Sequence, residues 1–194
     1  MSLKKILYSG KIVDLMALTP TDISLPDISR ALSNLARFDG ATEDVYSVAQ
    51  HSVYVADLAH HYDATPAMRF AALMHDAAEA YVGDLNSPMK SHCPNFKIIE
   101  NKVHAVIMTA FGFTPPPLID EYVKTLDMIA LTSEFRDLFG ITPEDKRFSE
   151  LDYPAIKYWH PTPTVKPVFP AAAYCDFTEA VERLALLNDL AIPY

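Results

Sequence analysis

One stretch of this chain reads as a buried helix and still carries ionisable groups. From Ala67 to Val82 the residues are apolar nearly all round, including Met68, Phe70, Leu73, Met74, Ala77 and Ala78. A helix of that kind belongs at the centre of a bundle. Yet His75, Asp76 and Glu79 lie within it. Burying an ionised carboxylate without a partner is costly, so such groups are paired, neutralised or bound to metal. Between Phe70 and Val82 there is no Lys or Arg, and Arg69, just upstream, can serve one carboxylate at most.

The remaining periodicity is helical almost throughout. Asp27 to Arg37 carries Ile28, Leu32, Leu35 and Ala36 on one stripe. Ser47 predicts the N-cap of a second helix, with Val48, His51, Val55, Leu58 and Tyr62 facing inward. Pro66 suits the first turn of the central helix, Gly83 its stop, and Pro88 is expected to keep the helix from resuming. Phe96 to Phe111 predicts a further helix. Leu118 to Phe139 predicts a long one after the break at Pro115, Pro116 and Pro117. Pro154 to Pro170 holds five prolines in 17 residues and predicts an extended surface segment. A last helix is expected from about Phe177 to Leu190, packing Val181, Leu184, Ala185 and Leu187 on the body. Ile6–Ser9 and Ile12–Leu15 around Gly10 suggest a short hairpin. The expected fold class is all-α: one helical-bundle domain over residues 1–194, with a core of about 22–140 and a proline-rich extension of about 150–194.

Composition narrows the function classes. Half the residues are apolar and 21% are charged, which excludes wholesale disorder. Only 5 residues are Gly, which argues against a glycine-rich phosphate loop. A net charge of −9 repels polyphosphate backbones, so no nucleic-acid polymer is expected as a partner. A small phosphorylated ligand needs only a few local cations. Cys93 and Cys175 form no CxxC pair and predict reduced thiols in a cytoplasmic protein. No run approaches the ~18 apolar residues of a membrane span, and Met1 to Lys5 lacks the apolar region of a signal peptide, so no membrane association is expected.

Two polar residues on other helices bear on the carboxylate problem. His51 falls on an inward face, and Asp127 shares a helix edge with Val123, Ala130 and Leu131. Taken singly, the first reads as a core histidine and the second as a surface acid. Converging with His75 and Asp76, they give two imidazoles and two carboxylates. That set suits one divalent first-row metal ion, with positions left open for water or substrate. Bundle cores assemble such sites from facing helices.

The run His51, His75-Asp76 and Asp127 resembles the metal signature of the HD-domain phosphohydrolase superfamily. The string from His75 through Glu79, Gly83-Asp84 and Pro88-Met89-Lys90 is more specific, and is similar to the 5′-deoxynucleotidase-like branch. Arg37-Phe38, Tyr46 to His51, and Asp127 with Leu131-Thr132-Ser133-Glu134 match the same branch, so the resemblance covers about Ile6 to Leu138. It implies His51, His75, Asp76 and Asp127 as ligands of one divalent ion (Mn, Co, Fe, Ni, Zn or Mg). It also implies Glu79 and Asp84 as catalytic carboxylates. Arg37 and Lys90 would contact the phosphate, and Phe38, where the best-known members have Trp, would stack on a base or sugar. Ala41 stands where related sequences often have His.

The implied reaction is phosphate release from nucleoside or deoxynucleoside 5′-monophosphates. The substrate would be a small-molecule nucleotide, and a homodimer is implied because related bundles are often dimers. Glu79 would orient or deprotonate water and Asp84 would protonate the leaving oxygen, or the reverse. Hydrolysis of nucleoside triphosphates or other phosphoesters is the alternative within the class. A non-catalytic nucleotide-binding module is the alternative outside it, and a two-metal oxygenase using His92 or His104 is a further one. His60-His61, His92, His104 and His160 read as structural or helix-edge residues.

Overall fold

In a computed structural model, residues 2–151 and 158–194 are described; the expectation for Pro154 to Pro170 therefore falls partly outside the described residues. The chain opens with a hairpin of β1 (Lys4–Ile6) and β2 (Ile12–Asp14), paired antiparallel with Lys5 opposite Val13. Its turn passes through Gly10 at φ 85°, a conformation glycine adopts without penalty. Lys5 Nζ donates to the carbonyls of Ala80 and Tyr81, each at 3.0 Å, which docks the hairpin on the central helix.

α1 (Leu25–Asn34) starts from Ser24, whose side chain accepts from the Asp27 amide. It ends three residues before the predicted segment, which runs to Arg37. The backbone there leaves the helix to pair across space: Arg37 N–H donates to Tyr46 O at 2.8 Å and Val48 N–H to Leu35 O at 2.9 Å. That pairing carries Arg37 to the start of α2 (Val48–His61), which Ser47 caps through the Gln50 amide. Tyr62, expected on the inner face, lies past the helix end and is exposed.

The predicted helix from Ala67 to Val82 is not continuous. α3 (Pro66–Met74) and α4 (Glu79–Val82) are joined by a tightened stretch. In it, Ala77 N–H reaches Met74 O, Glu79 N–H reaches Asp76 O and Ala80 N–H reaches Ala77 O. These bonds close over three residues rather than four, the 3₁₀ pattern that often marks a functional site. His75 contributes to the change: its Nδ1 bonds the Ala72 carbonyl at 2.8 Å, a side chain competing for a helix acceptor.

Gly83 at φ 86° ends α4 as expected. Pro88, however, does not prevent a helix. It occupies the first turn of α5 (Ser87–His92), where its missing N–H costs nothing, and Asn86 caps that helix through the Met89 amide. α6 (Pro94–Phe111), α7 (Ile119–Phe139) and α8 (Lys146–Glu150) follow. Residues 159–169 run extended to α9 (Pro170–Leu187), which begins seven residues before the predicted start because Pro170 opens it. Val181, Leu184 and Ala185 are buried on the body, whereas Leu187 is 56% exposed and does not pack inward as expected.

The main core joins Leu25, Ile28 and Leu32 of α1 to Phe70 and Leu73 of α3, Ile107 and Phe111 of α6, and Phe177 and Val181 of α9. A second cluster sets Val55 and Leu58 of α2 and Ala72 of α3 against Leu126 and Ile129 of α7. This second cluster fixes the site, since it holds together the three helices that bring His51, His75 and Asp127 inward. The extended segment ties two of them. Tyr54 Oη of α2 donates to Pro163 O at 2.8 Å, and Asp137 of α7 accepts from the Val165 amide at 2.7 Å. The fold is all-α with an N-terminal hairpin.

Candidate metal centre and its acidic surroundings

His51 is fully buried on α2, His75 and Asp76 sit at the tightened end of α3, and Asp127 lies on α7. His51 Nε2 stands 3.3 Å from His75 Nε2, 3.1 Å from Asp127 Oδ1 and 3.7 Å from Asp76 Oδ2. His75 Nε2 stands 3.1 Å from Asp76 Oδ2 and 4.0 Å from Asp127 Oδ1. Donors bound at about 2.1 Å to one ion lie about 3 Å apart when adjacent and about 4.2 Å apart when opposite. The spacings among His51, His75 and Asp76 suit one divalent cation, and Asp127 Oδ1 stands within 3.1 Å of His51 and 4.0 Å of His75. Among the described residues, His51, His75 and Asp76 each offer a ligand atom within 4.8 Å of the other two.

Both imidazoles are turned toward the cluster by their other nitrogen. His51 Nδ1 donates to Glu134 Oε1 at 2.6 Å, and His75 Nδ1 donates to the Ala72 carbonyl. A carboxylate and a carbonyl only accept, so each Nδ1 carries a proton, which leaves Nε2 of each ring as the atom that would face an ion. Burial alone would depress His75; the Asp76 carboxylate more than offsets this and pushes it up to about 9. Burial would raise Asp76, and the neighbouring His75 holds it far below the usual carboxylate range instead. The two Nε2 atoms lie 3.3 Å apart, and with an ion bound both would face it.

Glu134 is fully buried, and the sequence assigned it no role of its own. Its Oε1 accepts from His51 and from Tyr46 Oη at 3.1 Å, while its Oε2 accepts from Arg37 Nη2 at 3.0 Å. The available signal was its spacing. Glu134 follows Asp127 by seven residues, two turns along one face of α7. Arg37 is thereby committed to a carboxylate, and its Nη1 lies 3.8 Å from Asp76 Oδ2. Phe38, at φ 54°, packs its ring against Phe139 at 5.1 Å and Phe135 at 5.9 Å. The structure thus places Phe38 in an aromatic cluster and not among the residues lining the cavity beside His75, Asp76 and Asp127.

That cavity holds about 670 Å³. His75, Asp76, Glu79 and Asp127 lie at its polar side, and Met108, Phe113, Ile119 and Val123 form an apolar wall. Glu79 is 3% exposed. Its Oε1 accepts from Lys90 Nζ at 2.8 Å, and its Oε2 has no hydrogen-bond partner among the described residues. Burial, with Asp76 and Asp84 adding repulsion, pushes Glu79 up to about 9. Lys90, expected to contact phosphate, is held between Glu79 and Glu100, the latter at 2.9 Å. Asp84 is half-buried past Gly83; burial and the charge of Asp76 raise it, while Arg37 and Lys90 pull it down. His104, read from sequence as a helix-edge residue, lines the cavity, where burial lowers its proton affinity.

Residues 48–115 match the HD domain family. The Escherichia coli K12 protein named Uncharacterized protein YfdR is 37% identical over 186 residues, 95% of this chain and 97% of its own length. An uncharacterized Rhodobacter capsulatus protein is 30% identical over 180 residues, 85% of this chain and 91% of its own. The chain belongs to the HD-domain family. Membership implies a metal-dependent phosphohydrolase, and the His51, His75 and Asp76 cluster is able to bind the ion. The matched HD segment contains those three residues together with Glu79, Asp84 and Lys90, and ends before Asp127 and Glu134. No helix among the described residues of this HD-domain protein is long and apolar enough to cross a membrane.

Proposed function

We propose that this protein is a metal-dependent phosphomonoesterase releasing phosphate from nucleoside 5′-monophosphates, 2′-deoxynucleotides among them. The supporting observation is the meeting of His51, His75, Asp76 and Asp127 at ligand spacing beside a cavity large enough for a nucleoside. A divalent ion held by those four residues would supply Lewis acidity toward the phosphoryl oxygens and a water of lowered pKa. Glu79 takes the proton of the attacking water. Lys90 contacts its Oε1 and favours the ionised form, while Oε2 remains free to receive the proton. Asp84, raised by burial, protonates the departing 5′-oxygen. The apolar wall of Met108, Phe113 and Val123 accommodates the base.

The charge around the cavity favours a monophosphate over a triphosphate. The lysines lining it are Lys90, already held by two carboxylates, and Lys124. A triphosphate brings about four negative charges and needs more cationic contact than that.

Purified protein loaded in turn with each divalent metal, and assayed on a panel of mono-, di- and triphosphates, tests the reading. Orthophosphate from monophosphates is the expected product. Pyrophosphate or tripolyphosphate as the main product would move the activity to triphosphates. No release from any nucleotide with any metal would overturn it.

A further inference from the structure

Lys90 is shared by two carboxylates from different helices. Its Nζ donates to Glu79 Oε1 at 2.8 Å and pairs with Glu100 Oε1 of α6 at 2.9 Å, and it lies 6.0 Å from the centre of the Phe96 ring. Lysine has a flexible four-carbon stem, so one contact alone would not fix its ammonium. Glu100 and Phe96 supply the second and third points of attachment. α5, which carries Lys90, is itself tied down, since its cap residue Asn86 donates to Asp39 Oδ2 at 3.0 Å. The ammonium is therefore a built part of the wall.

Glu79 shows the other half of the arrangement. One carboxylate oxygen is taken by Lys90; the other is buried and has no partner among the described residues. A buried acceptor without a donor is uncommon and calls for a water or ligand group. Fixing one oxygen also fixes the direction of the second. With Asp76 and Asp84 close by, Lys90 is the cation that contacts Glu79 and offsets their repulsion.

We propose that Lys90, pinned by Glu100, is a positioning residue that aims the free oxygen of Glu79 at the attacking water, rather than a ligand of the substrate phosphate. The inference rests on the reading of Glu79 as the carboxylate that handles that water. It adds Glu100 to the working parts of the site, although Glu100 touches neither the reacting atoms nor the four metal-binding residues.

The test uses the full metal-loaded chain. Lys90→Met is expected to lower kcat about 30-fold while KM and inhibition by inorganic phosphate stay within about twofold. Lys90→Arg is expected to recover most of the loss, and Glu100→Ala to lower kcat about fivefold at unchanged KM. Alanine is a strong helix former on α6, so Glu100→Ala keeps the measurement available if Lys90→Met fails to fold. A rise of about tenfold in KM and in the phosphate inhibition constant, with kcat retained, would make Lys90 a phosphate ligand and overturn the inference. Unchanged kinetics in both variants would do the same. A second readout needs no turnover: a slowly exchanging Lys90 ammonium signal in ¹⁵N–¹H spectra, assigned by its absence in Lys90→Met and lost in Glu100→Ala. If the unsubstituted protein releases no phosphate, the proposed function fails by itself. The spectrum still decides the pinning: persistence of the signal in Glu100→Ala overturns it.

Discussion

Glu134 Oε1 lies 2.6 Å from His51 Nδ1, with neither side chain exposed to solvent. The same carboxylate binds Arg37 and Tyr46, so one acid on α7 fixes the ring on α2 and the guanidinium that follows α1. Glu134→Gln preserves the shape but weakens acceptance from His51. Metal affinity is expected to fall about 10- to 100-fold, measured by competition with a chelating dye. Glu134→Ala leaves His51 and Arg37 without their partner and is expected to cost about 3–5 kcal/mol in urea unfolding.

Two neighbouring carboxylates are expected to separate binding from turnover. Asp76→Ala removes a group 3.1 Å from His75 Nε2 and should abolish both metal retention and activity. Glu79→Ala should retain the ion, counted by elemental analysis, and lose turnover. Full activity in Glu79→Ala would remove Glu79 from the mechanism while sparing the metal centre.

Metal loading is expected to raise the melting temperature. A ligand that binds only the folded state at 100 times its Kd adds about 2.7 kcal/mol. Chelation should reverse the rise, and Asp76→Ala should show none. Thermal melts with and without each divalent ion check this independently of any substrate.

The rate should depend on pH through Glu79. A base works only when ionised, and burial together with Asp76 and Asp84 raises its affinity for a proton, to about 9 in the metal-free protein. In the metal-loaded enzyme, activity is therefore lost as pH falls through the proton affinity of Glu79 and gained above it. The acid limb of kcat/KM is expected above the usual carboxylate range, with the bound cation drawing it down by offsetting Asp76. A limb near 4.5, the value of an unperturbed glutamate, would show that the governing group is not a buried carboxylate.

Helical periodicity was legible because it follows from burial alone. Ser47 and Gly83 marked ends through local chemistry that needs no tertiary information. The early end of α1 was hidden, since it depends on Leu35 and Arg37 finding Tyr46 and Val48 across a loop. The break after Met74 was hidden for a similar reason: nothing in Ala-Leu-Met-His-Asp-Ala-Ala disfavours a helix, and His75 changes the pattern only once its ring turns toward Ala72. At the site, polar residues inside apolar helices announced the four that meet. Lys90 read as a phosphate contact because its two partners, Glu79 of α4 and Glu100 of α6, meet it only through the packing of α4 and α5 on α6. Phe38 read as a stacking residue because its left-handed backbone, which turns the ring toward Phe135 and Phe139, has no signature in an Arg-Phe-Asp-Gly string.

The extended stretch after Tyr158 contributes no group to chemistry, yet it laces together the helix bearing His51 and the helix bearing Asp127. Gln50 and Tyr54 hold it on one side, and Thr132, Ser133 and Asp137 on the other. It works as a girth strap around the ion's cage: severing it would let two walls drift apart, and the grip on the cation would slacken though every ligand remained in the chain.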